Sequence, residues 1–475
     1  MYFRMGRKQF LALAVQFFAL IVSLFFLLHE SKNSSQLFVV YARFGVLVIS
    51  IAGISFLAAH DKAISVQTVF LLLFVLFQFG LPVVYACMPE YFNYYISLFD
   101  KKILIKAIKY TILSIQTYIF CTSLVVVIDS GKKKKKTRGR WLAIIENHTK
   151  SVEVAALYLF CFTAAVVVPV NMASAVRAVL ADGAIVNMFR GAMAANGVTR
   201  FFQEFYFPSA LLYLCFSSSP QKKKIVSLFY LVVSFSMVLV ADRSGGITAL
   251  VVFAFYHFYT SKNKKQGKQI LFLAASGIFL AVVSSVVATV RISGKGIGSA
   301  LDGRILLNVI EEMGFNFTSL CFVMDYIPAK TDFRYGLSYL VSFILLIPKT
   351  FGLGSVYPAL QSCLGETWLW NANRLYGRGF LDFGVGFSLI AESYYNFSWA
   401  GIFVMIPISV LITKIINEDK ADTAWGLYIR LVLLLTLFTV PRRQFLSILK
   451  GIEYSIFFMV VYLIAFIGLR RTENS

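Results

Sequence analysis

The residues with the clearest chemistry are arginines that lie in loops between hydrophobic runs. A guanidinium group stays charged and grips a phosphate or a carboxylate through two parallel hydrogen bonds. The loops that carry these arginines therefore indicate an anionic ligand on their side of the molecule. The arginines are Arg177, Arg190, Arg200, Arg243, Arg291, Arg304, Arg334, Arg374, Arg378, Arg442 and Arg443.

Lysines fill the alternate set of loops, and this asymmetry predicts a topology. Basic residues concentrate in the cytoplasmic loops of membrane proteins, so we expect the lysine-bearing loops and both termini in the cytoplasm. The arginine-bearing loops would then lie outside. The lysine clusters are Lys132 to Lys136, Lys222 to Lys224, and Lys262, Lys264, Lys265 and Lys268.

Hydrophobic runs position both sets of loops. The 475 residues are 59% hydrophobic and 14% charged, with a mean hydropathy of +0.75, which excludes an ordinary soluble domain. We expect an all-α polytopic membrane protein with about twelve spans of about 20 residues, forming one integral membrane domain over residues 1–475. The runs lie near 10–28, 38–59, 64–86, 107–128, 154–170, 204–219, 225–241, 246–260, 270–290, 398–416, 424–440 and 448–468.

The net charge of +22 does not indicate nucleic-acid binding, because the lysine runs sit at span ends, where anionic lipid headgroups attract them. Two predicted outer loops, 171–203 and 291–386, are too long to be simple connections. Within the second, the apolar stretch 337–348 is short for a span and closed by proline. It predicts a helix that lies in the membrane interface or dips back into the membrane.

Metal chemistry finds no support in the sequence, and we expect no metal and no cofactor. There is no D-x-D pair, and the histidines, His29, His60, His148 and His257, are scattered. Cys321 and Cys363 both lie in the long outer loop, where an oxidising environment could join them. The remaining cysteines lie in or at the ends of spans and are interpreted as packing residues, which argues against the disulfide.

The segment 386–401, GFSLIAESYYNFSWAG, resembles the G-x-S-x-x-x-E-x-Y-x-N-F-G-x-x-G signature of the O-antigen, or oligosaccharide repeat-unit, polymerases (Wzy family). Ser398 stands where glycine is usual. Further similarities are Ala241 to Gly245, which resembles a short G-x-R turn of the family, and the stretches 312–314, 335–339 and 347–348. The resemblance extends over roughly residues 170 to 450.

This resemblance implies a GT-C-like membrane glycosyltransferase. Such an enzyme joins undecaprenyl-diphosphate-linked oligosaccharide repeat units at the outer face of the bacterial cytoplasmic (inner) membrane. Membrane lipids and a chain-length regulator protein are the other partners that it suggests. The leaving group is a lipid diphosphate whose charge grows as the glycosidic bond breaks, so arginines placed beside it would stabilise the transition state without a metal.

The catalytic candidates are Glu392, as the base that deprotonates the acceptor hydroxyl, and Arg243, in a tight turn beside Gly245. An equally open interpretation of Glu392 is a structural ion pair with a loop arginine. Paired arginine-bearing loops are typical of the family, and Tyr394 and Tyr395 could contact sugar. The alternatives are lipid-headgroup contacts for the arginines and an interfacial belt for the tyrosines. The substrate-binding candidates are Arg190, Arg200, Arg291, Arg304, Arg374, Arg378, Tyr394 and Tyr395.

Three other functions remain open. A flippase for lipid-linked oligosaccharides would place charge within the spans rather than in a long outer loop. An O-antigen ligase shares the arginine-loop plan but usually has a histidine in the large loop, and 291–386 contains none. A structural scaffold would not need clustered arginines.

Overall fold

The computed structural model of this chain describes residues 6–28, 36–59, 66–89, 97–130, 148–180, 197–240, 243–260, 305–347, 355–376, 386–415 and 423–473. Within these residues the chain is helical and contains no strand. The predicted all-α class is therefore confirmed for the described part.

The helices of the first half of the chain are long, and those between residues 305 and 397 are short. The first eight are α1 (Arg7–Leu28), α2 (Gln36–Ala59), α3 (Val66–Cys87), α4 (Lys101–Ser130), α5 (Thr149–Leu180), α6 (Gly197–Phe216), α7 (Pro220–Val240) and α8 (Arg243–Thr260). The short ones are α9 (Ile305–Gly314), α10 (Phe317–Tyr326), α11 (Leu337–Ile344), α12 (Tyr357–Ser362), α13 (Gly365–Leu375) and α14 (Leu389–Phe397).

The last part of the chain interrupts its α-helices with other helical turns. A 3-10 segment, Ser398–Val404, leads into α15 (Met405–Ile415), and α16 (Ala424–Leu437) precedes a second 3-10 turn, Val440–Arg442. Helix α17 (Phe445–Ile452) passes through a π-helical turn, Glu453–Phe457, into α18 (Phe458–Glu473).

Eight helices in the described part are long and apolar enough to cross a membrane, so the chain is a multi-pass membrane protein. The predicted total of about twelve is not confirmed. Three of the other predicted spans form helices α6, α7 and α8, and the run at 270–290 lies outside the described residues. The eight segments are Arg7–Phe26, Leu37–Ala59, Gln67–Cys87, Lys101–Ile128, Thr149–Val176, Leu389–Lys414, Ala424–Arg442 and Phe445–Leu469.

The chain forms two compact units. The first comprises Met1–Lys134, Ile310–Ile416 and Val440–Leu449. Its central helix is α4, which packs against α1, α2, α3, α10 and α15. Aromatic side chains fill the interior, as where Tyr118 of α4 meets Phe70 and Phe74 of α3 at 5.5 and 5.2 Å between ring centroids.

The second unit comprises Lys135–Val309, Asn417–Thr439 and Lys450–Ser475. In it α5 packs against α6, α7 and α18, and α16 packs against α6 and α8. Buried tyrosines donate to backbone carbonyls of neighbouring helices. The Tyr206 hydroxyl donates a hydrogen bond to the Phe229 carbonyl at 2.8 Å, and the Tyr230 hydroxyl donates one to the Ala249 carbonyl at 3.0 Å.

Both predicted outer loops contain helix. Helix α5 continues to Leu180 and α6 begins at Gly197, so Arg177 and Arg200 lie on helices. The described part of 291–386 contains α9 to α13. Helix α11 occupies the short apolar stretch, and its eight residues are too few to cross a bilayer. The side of the membrane on which these segments lie stays a prediction.

Candidate active site

Glu392 lies in the first turn of α14, within the signature-like segment. The helix begins after Ser388, whose side-chain oxygen accepts a hydrogen bond from the Ala391 amide at 3.1 Å. Serine is a favoured residue at this capping position. The Glu392 side chain is 0% exposed. A capped helix start therefore fixes a fully buried carboxylate.

The Glu392 carboxylate accepts hydrogen bonds from two uncharged donors. The Ser338 hydroxyl of α11 donates to Oε1 at 2.9 Å, and the backbone amide of Phe445 donates to Oε2 at 2.6 Å. Among the described residues, no arginine or lysine forms an ion pair with this carboxylate. The interpretation of Glu392 as the partner of a loop arginine is therefore not seen in this part of the chain.

Asn396, one turn after Glu392, organises the Ser338 side of the site. Its Oδ1 accepts hydrogen bonds from the backbone amides of Gly336 at 3.1 Å and Ser338 at 3.4 Å. These two donors fix which end of the side-chain amide is the oxygen and which is the nitrogen. Nδ2 donates to Ser338 Oγ at 2.8 Å and to the Glu392 carbonyl at 2.9 Å. Ser338 thus accepts from Asn396 and donates to Glu392, forming a continuous hydrogen-bonded chain.

The turn before α11 brings an arginine to this network. Tyr335 and Gly336 have φ of 49° and 88°, so the backbone reverses in the left-handed region. The amide of Arg334 donates to the Tyr395 carbonyl at 3.1 Å, and its Nε donates to the Tyr395 hydroxyl at 3.0 Å. A partly exposed guanidinium is therefore held beside the helix that carries Glu392.

Tyr394 and Tyr395 are both buried and point to different neighbours. Tyr395 packs on Trp368 with 4.8 Å between ring centroids. Tyr394 packs edge-on against Tyr110 of α4 at 5.2 Å, and the Lys106 ammonium lies 5.1 Å from its ring centroid. Because protein groups cover both rings, contact with a sugar needs a rearrangement, and this predicted role stays a prediction.

The signature-like segment also joins α14 to α4. The Tyr110 hydroxyl and Ser393 Oγ are 2.8 Å apart. Since Ser393 Oγ donates to the Ile390 carbonyl at 2.8 Å, Tyr110 is the donor. Gly401 packs against this pair, because a Cβ atom there would overlap the Ser393 carbonyl and the Tyr110 hydroxyl. The final glycine of the signature is thus required by a close approach of two helices.

Three of the arginines chosen from sequence, Arg200, Arg243 and Arg374, lie in the described part of the chain. Arg374 is exposed at the end of α13, with Cζ 5.0 Å from the Trp370 ring centroid. Arg200 lies in α6 and Arg243 is the first residue of α8, and only their backbones are described. Their assigned roles stay predictions. Arg190, Arg291, Arg304 and Arg378 lie outside the described residues.

Ser338 and Asn396 belong to the site but were not among the residues selected from sequence, and Arg334 was one of the loop arginines but not one of the substrate-binding candidates. Two signals pointed to them. Asn396 is a fixed position of the signature, and Arg334 and Ser338 adjoin or lie in the similar stretch 335–339. The Phe445 amide has no such signal, since a backbone group leaves no trace in residue type.

The described residues contain no group of three or more His, Cys, Asp or Glu side chains that could hold a metal ion. That the reaction needs no metal stays a prediction. Cys321 and Cys363 are both free, so the disulfide considered from sequence is not formed. Cys321 is buried within α10, while the Cys363 thiol donates to the Ala359 carbonyl of its own helix at 3.5 Å.

A family model described as O-antigen polysaccharide polymerase Wzy matches residues 10–474. No curated protein and no solved structure matches the chain. Since the family model covers nearly the whole sequence, this chain belongs to the O-antigen polymerase Wzy family. The resemblance noted in the segment 386–401 is confirmed.

Proposed function

We propose that this member of the Wzy family is a membrane glycosyltransferase that polymerises oligosaccharide repeat units into an O-antigen or capsule-type polysaccharide. One undecaprenyl-diphosphate-linked unit is the donor, and a sugar hydroxyl of another is the acceptor. The reaction takes place at the outer face of the bacterial inner membrane. The family match supports the polymerase activity, and the alternation of arginine and lysine loops supports the side.

Glu392 is the proposed general base. It takes the proton of the acceptor hydroxyl while the acceptor oxygen forms the new bond to the anomeric carbon of the donor. The bond between that carbon and the diphosphate oxygen breaks, and the lipid diphosphate leaves. The single observation that supports this role most directly is the pair of neutral donors on a buried carboxylate that has no counter-ion in the described part.

The acceptor reaches Glu392 by replacing the Ser338 hydroxyl. Ser338 lies on α11, a helix of eight residues whose outer face is weakly covered: Leu340 is 64% and Phe343 is 55% exposed. A short helix with few packing partners can shift at small cost compared with a buried span. Its displacement uncovers Oε1 while the Phe445 amide still orients Oε2.

Arginines stabilise the diphosphate that leaves. Arg334 is the best-placed candidate in the described residues, because Tyr395 holds its Nε beside the helix that carries Glu392. Arg243 and the loop arginines Arg190, Arg200, Arg291, Arg304, Arg374 and Arg378 supply the remaining positive charge. Charge that is in place before reaction favours the transition state over the ground state, and no metal is then needed.

A deletion strain tests the function. A polymerase deletion should leave a single repeat unit on the lipid core in place of a glycan ladder, and the wild-type chain should restore the ladder. Loss of every surface repeat would instead identify a flippase. Accumulation of finished polymer on the lipid carrier, with none on the core, would identify a ligase.

A further inference from the structure

Positive charge lies at both ends of the central helix α4. A run of lysines, Lys132 to Lys136, follows its last residue, and four more lysines lie in its first turns. The positive-inside rule accounts for lysines at one end of a span but not at both. Because the run after the helix marks the predicted cytoplasmic end, the lysines at the start need another explanation. They are Lys101, Lys102, Lys106 and Lys109, and Asp100 is the acidic residue next to them.

The length of this span places its first lysines at the depth of lipid headgroups. The candidate span Lys101–Ile128 has 28 residues, which make about 42 Å of helix. The hydrocarbon core is about 30 Å thick, so about 20 of these residues cross it. Charged residues at the other end stay out of the hydrocarbon. The first two turns of α4 therefore extend into the layer that contains the phosphate groups of membrane lipids.

Lys106 is half-buried against the helix that carries Glu392. Its ammonium lies 5.1 Å from the centroid of the Tyr394 ring. Tyr110, one turn later on the same face of α4, binds Ser393 of that helix. An aromatic ring attracts a cation but carries no net charge, so this contact orients the ammonium without neutralising it. A lysine that only met bulk lipid would not need this position.

Two consecutive tyrosines of α14 thus hold one cation each. Tyr395 accepts from the Nε of Arg334 at 3.0 Å, and Tyr394 lies beside Lys106. Arg334 belongs to the turn before α11, whereas Lys106 belongs to α4, so the two cations approach α14 from different elements. Positive charge near the candidate base therefore has a second source besides the arginines.

The lysines of α4 also contact α2. Lys102, Lys106 and Lys109 are three or four residues apart, so they share one face of the helix, which we call the lysine face. The Lys109 ammonium lies 4.8 Å from the centroid of the Tyr41 ring of α2. One turn further along α2, Phe44 lines a groove between α1 and α2 of about 520 Å³.

This groove lies deeper in the membrane than the lysine face. Gly45 packs on Ile112, because a Cβ atom at Gly45 would overlap the Ile112 side chain. That contact is one turn after the contact of Lys109 with Tyr41 in both helices, so α2 and α4 run in the same direction. The groove therefore extends from the headgroup depth of Lys109 toward the hydrocarbon core.

Every side chain that lines the groove is apolar. Phe18 of α1 and Leu47 of α2 are 68% and 60% exposed, so the groove lies on a surface of the described part that faces lipid. Ala14 leaves space between them because its side chain is small. Ammonium groups at headgroup depth beside an apolar groove match an amphiphile that has an anionic head and a long hydrocarbon chain.

We propose that the lysine face and this groove bind the isoprenoid diphosphate of a lipid-linked repeat unit, with the diphosphate on the ammonium groups and the chain in the groove. The inference rests on the proposed function, to which it adds a binding site. Lysine suits a phosphate on a mobile lipid, because its ammonium is a point charge on a flexible stem. A diphosphate held by Lys106 brings the attached sugar to the helix that carries Glu392.

Binding of undecaprenyl diphosphate to the purified protein in phosphatidylcholine nanodiscs tests the lysine face without any reaction. Lys102→Gln with Lys106→Gln should weaken binding several-fold, because two positive charges are lost. Lys222→Gln with Lys224→Gln is the matched control, since it removes two exposed lysines at the start of α7, and it should bind like the wild type. Equal affinities for these proteins would overturn the proposal.

Two further measurements separate the diphosphate site from other effects of the lysines. Lys102→Arg with Lys106→Arg keeps both charges and should bind like the wild type, whereas a loss as large as that of the glutamine pair would mean damage to the fold and would overturn the proposal. Phosphatidylglycerol added to the nanodiscs should compete weakly. Displacement of undecaprenyl diphosphate by an equal amount of phosphatidylglycerol would assign the lysine face to ordinary lipid headgroups.

A groove-filling substitution tests the chain. Ala14→Trp should weaken undecaprenyl diphosphate several-fold and leave isopentenyl diphosphate, which has a single isoprene unit, unchanged. The glutamine pair should weaken both ligands. Ala173→Trp, at an exposed alanine of α5, is the control and should change neither. An Ala14→Trp protein that lost both ligands equally, or lost neither, would overturn the groove.

Failure of the proposed function is distinguishable from failure of this inference. A wild-type protein that makes no polymer from lipid-linked repeat units would overturn the function. The binding of undecaprenyl diphosphate to the wild type and to the glutamine pair would still decide whether the lysine face holds a diphosphate, because it requires no turnover.

Discussion

Glu392 and Asn396 act as one unit because they are a turn apart on the same face of α14. Asn396 fixes the Ser338 hydroxyl from one side, and the carboxylate accepts from it on the other. Oε2 is held by a backbone amide that cannot rotate or change its charge. The carboxylate orientation is therefore set by groups that stay neutral whether Glu392 is ionised or protonated. This is suited to a residue that changes protonation state during a reaction.

Glu392→Gln should abolish or sharply reduce chain extension while the protein stays folded. The glutamine Oε1 can accept from the Phe445 amide, and its amide nitrogen can donate to Ser338 Oγ, which has a second lone pair beside the Asn396 bond. The variant keeps these contacts but cannot take a proton from the acceptor. In vitro polymerisation and binding of lipid-linked repeat units, measured on the same purified sample, check this.

Thermal unfolding separates catalysis from structure at this position. A stable variant that binds substrate and does not extend it supports the base. A variant that unfolds at a much lower temperature would assign Glu392 a structural role, and a stable, fully active one would exclude both roles. Ser388→Ala, which removes the helix cap but no site group, is the control for damage to α14 and is expected to lower stability by about 1 kcal/mol.

Arg243→Lys should leave the protein in the membrane but lose most polymerisation. Lysine retains the charge and loses the planar fork, so a two-bond contact to a diphosphate fails where a simple headgroup contact survives. Glycan ladders and membrane immunoblots measure the two properties. Arg374→Lys and Arg378→Lys should show a weaker form of the same loss. Full-length ladders from Arg243→Lys would indicate that Arg243 contacts lipid headgroups and does not bind the diphosphate.

At the scale of the helix, the glycine positions of the signature have backbone reasons. Gly386 has φ of 72°, and Ser398, which stands where the signature has glycine, has φ of 54°. Both positions are in the half of φ space that favours glycine. They bracket α14, with the capping Ser388 inside the first. The backbone thus turns sharply at each end of the helix that carries Glu392.

Ser398→Gly should stabilise the protein by about 1 kcal/mol, because it removes the strain of a side chain at positive φ. A thermal-shift measurement in detergent checks this, and activity should be unchanged. Ser227→Gly, in the middle of α7 where the backbone is helical, should lower stability instead. Equal shifts for both variants would show that Ser398 is not strained.

Gly401→Ala should destabilise the protein by about 1–3 kcal/mol, since overpacking at a close contact forces neighbouring groups apart. The added methyl group would meet the Ser393 carbonyl and the Tyr110 hydroxyl, and so separate α14 from α4. Gly53→Ala is the matched control, because a Cβ atom at Gly53 meets nothing within 4 Å. Unfolding temperatures of the two variants should differ clearly; a Gly401 variant as stable as the Gly53 variant would contradict the packing.

At the scale of the whole molecule, hydropathy and the signature predict different parts of the structure. Hydropathy identifies α1 to α5 because each is a continuous apolar run, yet it does not set where a helix ends. Helix α5 continues ten residues past the predicted end near 170, to Leu180. Small residues such as those at 173–175 are compatible with either a loop or a helix. Whether the helix continues through them depends on the hydrogen bonds of the preceding turns, because helix formation is cooperative.

The site could be predicted only where its residues are close in sequence. Glu392 and Asn396 were visible because one helix carries both. Ser338 and Phe445, which bond the carboxylate, are 54 and 53 positions away. No local pattern encodes contacts of that range, since they depend on how α11, α14 and α17 pack. The cluster of Val341, Leu345, Leu364 and Leu446 shows that apolar packing brings α11 and α17 together.

The turns at the two ends of α7 give the sharpest test of topology. Helices α6 and α7 are separated by residues 217–219 only, so Lys223 lies beside the turn that joins them. Arg243 begins α8 at the opposite end. Helix α7 has 21 residues, from Pro220 to Val240, and its length of about 30 Å is the thickness of the hydrocarbon core. The two residues should therefore lie on opposite sides of the membrane.

Reporter fusions decide which side is which. Fusions near Lys134, Lys223 and Lys264 should be active with β-galactosidase and inactive with alkaline phosphatase, because lysine clusters stay in the cytoplasm. Fusions near Arg190, Arg243 and Arg304 should show the reverse. Phosphatase activity near Lys223 would show that the turn between α6 and α7 faces the outside. Arg243 would then lie on the cytoplasmic side, where it could not meet the lipid diphosphate. Matching reporters at Lys223 and Arg243 would instead mean that α7 does not cross the bilayer.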